Sequence, residues 1–146
     1  MPTEQKSIEE KNKEMIRWYV ANVLSKGDME TLLKVFAEDC VDHDAPPGIP
    51  PGIEGVKMWF TMFFAGFPGA SAQILDMVAE GEFVCFQGEI TAKHTGEFLG
   101  IPPTNNDLKV PVLEIVRLVN GQIKEHWGGV DTFIMMQQLG VVPSFG

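Results

Sequence analysis

Two cysteines, three histidines and one tyrosine are all that this 146-residue chain holds of the usual redox, metal-binding and phenolic groups. Cys40 and Cys85 lie far apart and form neither a CxxC nor a zinc pattern, so no disulfide framework is expected. They read as two buried thiols of a cytoplasmic protein. His43, His94 and His126 are not at metal-ligand spacing, and no metal is expected. Basic residues are scarce: 11 Lys and Arg stand against 20 Asp and Glu, a net charge of -9. That balance argues against nucleic acid and against anionic membranes, both of which need basic patches. No apolar run approaches a membrane span. The charged opening stretch (Lys6, Glu9, Glu10, Lys11, Lys13) does not read as a signal peptide. There is no G-x-S-x-G, P-loop or dinucleotide fingerprint, and hence no cofactor is expected. Repeats and low-complexity tracts are also lacking. With 45% apolar residues, the length fits one domain over residues 1–146 with a real core.

What is present centres on Leu108 to Asp131, two apolar runs joined by Asn120-Gly121. Asn-Gly between such runs is a hairpin signal, because both turn positions need φ > 0. A two-residue turn in strict register sets Leu118 against Ile123, Val116 against Glu125 and Glu114 against Trp127. Alternation then places Val110, Val112, Glu114, Val116, Leu118, Ile123, Glu125 and Trp127 on one interior face. His126 falls on the other face in that register, opposite Ile115. Gly128-Gly129 within the strand suggests a β-bulge, and a bulge lying earlier would turn His126 inward.

Upstream, Ser7-Ile8-Glu9-Glu10 reads as a capping box, followed by apolar residues at helical spacing and a stop at Gly27. Asp28 caps a second helix, Met29 to Phe36. Cys40 to His43 fits one edge strand. Asp44 to Gly52, with four prolines and two glycines, excludes regular structure and predicts a stiff loop. A third helix, Glu54 to Ala65, is apolar nearly all round, which predicts core on one side and a pocket wall on another. Strands follow at Ser71 to Ala79 and Phe83 to His94, then the hairpin, then a short helix from Thr132 to Leu139. Helices followed by strands read as an α+β fold, with helices covering one face of a curved antiparallel sheet.

Glu114 is the first candidate for chemistry. A carboxylate among valines should have a raised pKa, as general bases in apolar pockets do. Pairing with His126 or His43, or reach to solvent, is the structural alternative. Asp42, His43 and Asp44 precede the proline loop, where a histidine could shuttle a proton and an aspartate could equally cap the turn. His126 is a fourth candidate if it turns inward. His94 shares a face with Val84 and Phe86 and reads as a core or loop-anchoring residue. Trp127, Trp59, Phe63, Met62, Val112 and Tyr19 are core positions that could also line an apolar pocket.

Phe36-Ala37-Glu38-Asp39 with His43, Gly55, Phe67-Pro68, Asp76 to Gly81, His94-Thr95-Gly96-Glu97-Phe98, Gly100-Ile101-Pro102-Pro103-Thr104, Asn120 to Ile123, Glu125-His126-Trp127 and Gln138-Leu139-Gly140 occur together in order. With these residues the chain resembles the SnoaL-like polyketide cyclase family, within the nuclear transport factor 2-like superfamily. The resemblance covers nearly the whole chain. It implies a conical α+β barrel, three N-terminal helices over a curved, mostly antiparallel sheet, an apolar cavity, and a homodimer through the other sheet face. It further implies ring closure by intramolecular aldol condensation without metal or cofactor, with an aspartate as acid/base. The position of that aspartate is Gly128 here, and a glutamine, a histidine and an asparagine of those cyclases fall at Val112, Glu114 and Asp42. In the ketosteroid isomerase branch the base comes from the Asp42–Asp44 stretch, and the oxyanion donor from the helix that holds Tyr19. The Asp-Arg-Asp set of limonene epoxide hydrolase has no clear counterpart, because Arg117 falls on the face opposite Glu114. Three functions follow as expectations: proton transfer on an apolar carbonyl compound by Glu114 with Asp42, His43 or His126; hydrophobic-ligand binding or dimeric interaction without turnover; and, third, epoxide hydrolysis.

Overall fold

The computed structural model describes residues 5–145. Helix α1 (Ile8–Asn22) starts at Ser7, whose hydroxyl accepts from the Glu10 N–H at 3.2 Å while the Glu10 carboxylate accepts from the Ser7 N–H at 3.0 Å. This reciprocal cap satisfies two of the orphan donors at the helix start. One face of α1, with Ile16, Tyr19 and Val20, is buried. A short 3₁₀ turn, Leu24–Lys26, carries the chain to Gly27 at φ 63°, the left-handed conformation that ends it. Helix α2 (Met29–Val35) is capped by Asp28 and runs straight into strand β1 (Phe36–Asp42). Helix α3 (Ile53–Gly66) follows the proline loop. Strands β2 (Ser71–Glu80), β3 (Phe83–Lys93), β4 (Asp107–Val119) and β5 (Gln122–Val130) come next, then helix α4 (Thr132–Gln138).

The five strands form one curved sheet in the order β1-β5-β4-β3-β2, with β1 and β2 as its unpaired edges. The sheet is therefore an open cone rather than a closed barrel. All pairings are antiparallel except β1 with β5. Two apolar clusters fill the concave side. One joins α1, α2 and β1 to the turn end of the sheet around Ile16, Leu32, Val84 and Val116. The other surrounds Phe63, Phe67, Phe98 and Met135 at the opposite end. Leu32 is wholly buried; truncating such a residue to alanine costs about 2–5 kcal/mol.

The hairpin turn forms as its residues require, with Asn120 at φ 50° and Gly121 at φ 75°. Strict register ends two pairs later. Leu118 faces Ile123, but Arg117 faces Glu125, so Lys124 is an extra residue on β5. The bulge lies there and not at Gly128-Gly129, where pairing continues without a shift as Leu113 with Gly129 and Val112 with Val130. One inserted residue reverses the alternation beyond it. Val116 then pairs with His126, Ile115 with Trp127 and Glu114 with Gly128. His126 faces the interior, whereas Glu125 and Trp127 face outward, contrary to the expectation from strict register.

Among the described residues, no helix is long and apolar enough to cross a membrane. Both cysteines are free; Cys40 is buried and Cys85 partly so. His94 is fully buried and accepts the Thr104 N–H on Nδ1 at 3.1 Å, which ties the long β3–β4 connection to the core.

Candidate active site

Between α1, α3 and the concave sheet face lies a cavity of about 140 Å³. A single water needs roughly 10–15 Å³ on such a measure, so the space is ligand-sized. Its walls are mainly aromatic and aliphatic: Trp59, Phe60, Phe63 and Phe64 from α3, Phe86 from β3, and Phe36 and Cys40 from the α2–β1 segment. Pro46 and Ile49 of the proline loop also line it. That loop is held by the Asp42 N–H, which donates to the Pro51 carbonyl at 2.7 Å.

The polar groups gather on β1, β4 and β5. His126 Nδ1 lies 2.9 Å from Asp42 Oδ1, and His126 Nε2 lies 3.7 Å from Glu114 Oε1. The first is a hydrogen bond, the second an ion-pair distance. Parallel pairing sets Asp42 beside His126, and antiparallel pairing puts Glu114 opposite Gly128. The side chains of His126, Asp42 and Glu114 are 17%, 23% and 20% exposed, so water screens the group only partly. Burial pulls the His126 pKa down, but the hydrogen bond to Asp42 and the neighbouring Glu114 carboxylate outweigh it and raise the pKa to about 10. The ring is thus an imidazolium at neutral pH. Tyr19 lines the same space, and burial first, then the Glu114 charge, raises its pKa well above the usual phenol value. Its hydroxyl stays protonated and makes no hydrogen bond among the described residues.

Asp44 also lines the cavity, and its Oδ2 accepts the Gly128 N–H at 2.6 Å. Gly128 has φ 83°, and a Cβ built on it would stand 2.2 Å from the Leu113 carbonyl oxygen. Any side chain there would collide with backbone and sit in a conformation that L-residues rarely adopt. The position therefore holds no acid, while Glu114 projects a carboxylate from the strand directly across.

Of the residues singled out from the sequence, Glu114, Asp42, His126, Tyr19, Trp59 and Phe63 meet at this cavity. Four do not. Trp127 is turned outward by the Lys124 bulge, and its ring stacks on His43 with centroids 4.6 Å apart. His43 follows Asp42 on β1 and so points the other way; its Nε2 is 3.0 Å from Glu125 Oε1, which in turn pairs with Arg117. These partners, Arg117 first and then His43, hold the Glu125 carboxyl below the usual carboxylate range. Val112 is buried in the first apolar cluster, and Met62 packs against the second. Neither reaches the cavity wall. Cys40, Phe36 and Phe86 were missed as wall residues. For Cys40 a signal existed, since it alternates with Asp42 along β1; Phe86 carried none that set it apart from core.

Residues 13–139 match the family of SnoaL-like polyketide cyclases. The chain belongs to that family. It is 33% identical to IdmH from Streptomyces antibioticus, a proposed polyketide cyclase, over 89% of this chain and 99% of that one, with a TM-score of 0.74. The fold is shared with AclR from Streptomyces galilaeus, a proposed hydroxylase (TM-score 0.81, 23% identity, 94% of this chain and 85% of that one). It is shared too with a proposed SnoaL-like polyketide cyclase from Jannaschia sp. CCS1 (TM-score 0.77, 23% identity, 97% and 99%). No match is found among curated proteins.

Proposed function

We propose that this SnoaL-like protein is a cofactor-independent enzyme that moves a proton beside the carbonyl of an apolar small molecule, in an aldol cyclisation or an isomerisation. Family membership supports a cyclase or isomerase role in general. The observation that carries the finer reading is the Asp42–His126–Glu114 array opening into an aromatic cavity.

Roles follow from protonation. His126 keeps its proton at neutral pH, so it cannot be the base. Glu114 is the remaining carboxylate beside it that is not hydrogen-bonded to its ring, and it would accept the α-proton. The negative charge then moves to the carbonyl oxygen as an enolate. The Tyr19 hydroxyl and the His126 imidazolium line the same cavity and would hold that oxygen as donors. In cyclisation, the enolate carbon attacks a second carbonyl of the same molecule, and the resulting alkoxide takes a proton back from Glu114. In isomerisation, Glu114 returns the proton to a different carbon. Asp42 is a positioning residue: it fixes the imidazolium through Nδ1 and leaves Nε2 on the Glu114 side.

The test is α-proton exchange of ring ketones in D2O, followed by NMR. The wild type should accelerate exchange, and Glu114→Gln should lower the enzymatic rate by about 100-fold or more. An unchanged rate in that variant would remove Glu114 as the base. A second reading, binding without turnover, is favoured by Gly128 at the family's acid/base position. It predicts ketones that bind with no exchange at all. Epoxide hydrolysis is less well supported, because Arg117 faces outward and is engaged by Glu125 and Glu82.

A further inference from the structure

The acid/base reading above is the ground for this inference. We propose that the cavity is selective for uncharged carbonyl compounds, and that Asp44 is the residue setting this selectivity at the entrance. Three carboxylates line the space, Asp42, Asp44 and Glu114, against one cation, His126, and no lysine or arginine is among the lining residues. The one cation is already shared by two of the three, at 2.9 Å from Asp42 and 3.7 Å from Glu114. The basic groups nearest in the sheet are occupied elsewhere: Arg117 by Glu125 and Glu82 on the outer face, and Lys124 by Asp39.

Asp44 has no ion-pair partner among the described residues. Its only hydrogen bond across the sheet is to the Gly128 N–H, which fixes a charge beside the proline loop and close to the strand position opposite Glu114. A ligand carboxylate entering here would lose water and meet three carboxylates against one imidazolium that two of them already share, a combination that folded sites avoid. A ketone of the same shape meets the same walls without that penalty, and its oxygen still finds Tyr19 and His126. The selection thus acts before any proton moves.

A near-isosteric pair tests this: 2-acetonaphthone and 2-naphthoate, which differ in a methyl group against a charged oxygen. Dissociation constants are measured for the wild type and Asp44→Asn, at low and at high salt. Asparagine keeps an oxygen acceptor for the Gly128 N–H while removing the charge, and an unchanged melting temperature verifies its fold. The wild type should bind the ketone at least about tenfold more tightly than the carboxylate at low salt. The gap should shrink about threefold or more in Asp44→Asn, and shrink with added salt in the wild type. Equal affinities in the wild type overturn the selectivity, and a gap that Asp44→Asn leaves intact overturns the assignment to Asp44. If neither probe binds at about 1 mM, the proposal falls. Failure of the acid/base reading looks different: the ketone binds selectively, yet its methyl protons do not exchange.

Discussion

Replacing His126 by glutamine should change how stability depends on pH, not only its size. In the folded protein His126 holds its proton up to about pH 10; an unfolded histidine releases it near 6.5. Between these values the native state binds one proton more than the unfolded chain, so raising the pH drains stability. The contribution is fully present below about pH 6.5 and is lost as pH rises through about 10. The slope is about 1.4 kcal/mol per pH unit. From about pH 7.5 to 9.5 the wild type should thus lose about 2–3 kcal/mol, a sizeable share of a stability of about 5–15 kcal/mol. In His126→Gln this decline should disappear. At neutral pH the variant should also be less stable by about 2–3 kcal/mol, below the usual range for a broken buried pair because the three side chains are about a fifth exposed. Urea unfolding, followed by tryptophan fluorescence at several pH values, measures both effects, and an unchanged m-value shows that the same surface is exposed. Parallel stability–pH curves for wild type and variant would refute the imidazolium, and with it the assignment of Glu114 rather than His126 as base.

Tyr19→Phe should leave stability nearly unchanged, since the hydroxyl has no hydrogen-bond partner among the described residues, but lower the rate of α-proton exchange by about 10–100-fold if the phenol holds the enolate. Gly128→Ala should destabilise by about 2–4 kcal/mol in urea unfolding, because its Cβ would meet the Leu113 carbonyl at 2.2 Å. Gly128→Asp should for the same reason restore no acid/base function, and a folded, more active Gly128→Asp would contradict the steric account. Deleting Lys124 should remove the bulge and force either a register slip or an outward His126. A melting temperature lower by at least about 5 °C, or loss of the alkaline stability slope, is the expected readout.

The local chemistry of the chain determined most of its architecture. Ser7 with Glu10, Asp28, Gly27, Asn120-Gly121 and the proline loop each act through neighbours in sequence, so their caps, stops and turn could be read directly. Period-two apolarity likewise placed Val110, Val112, Val116 and Leu118 inside, and the ordered motifs named the family. The side on which His126, Trp127 and Glu125 fall was settled by the fold. One extra residue, Lys124, is absorbed between Ile123 and Glu125, and nothing in the local pattern marked it: of Gly128 and Gly129, the first serves close backbone approach to Leu113 and the second has a positive φ with open space around it. Because strand side chains alternate, that single insertion exchanged Trp127 for His126 as the residue facing the cavity with Glu114. Tertiary pairing across β1, β5 and β4 then decided the rest. It brought Asp42 to His126 across more than half the chain, turned His43 away, and gave a histidine that would titrate near neutrality a proton it keeps to about pH 10.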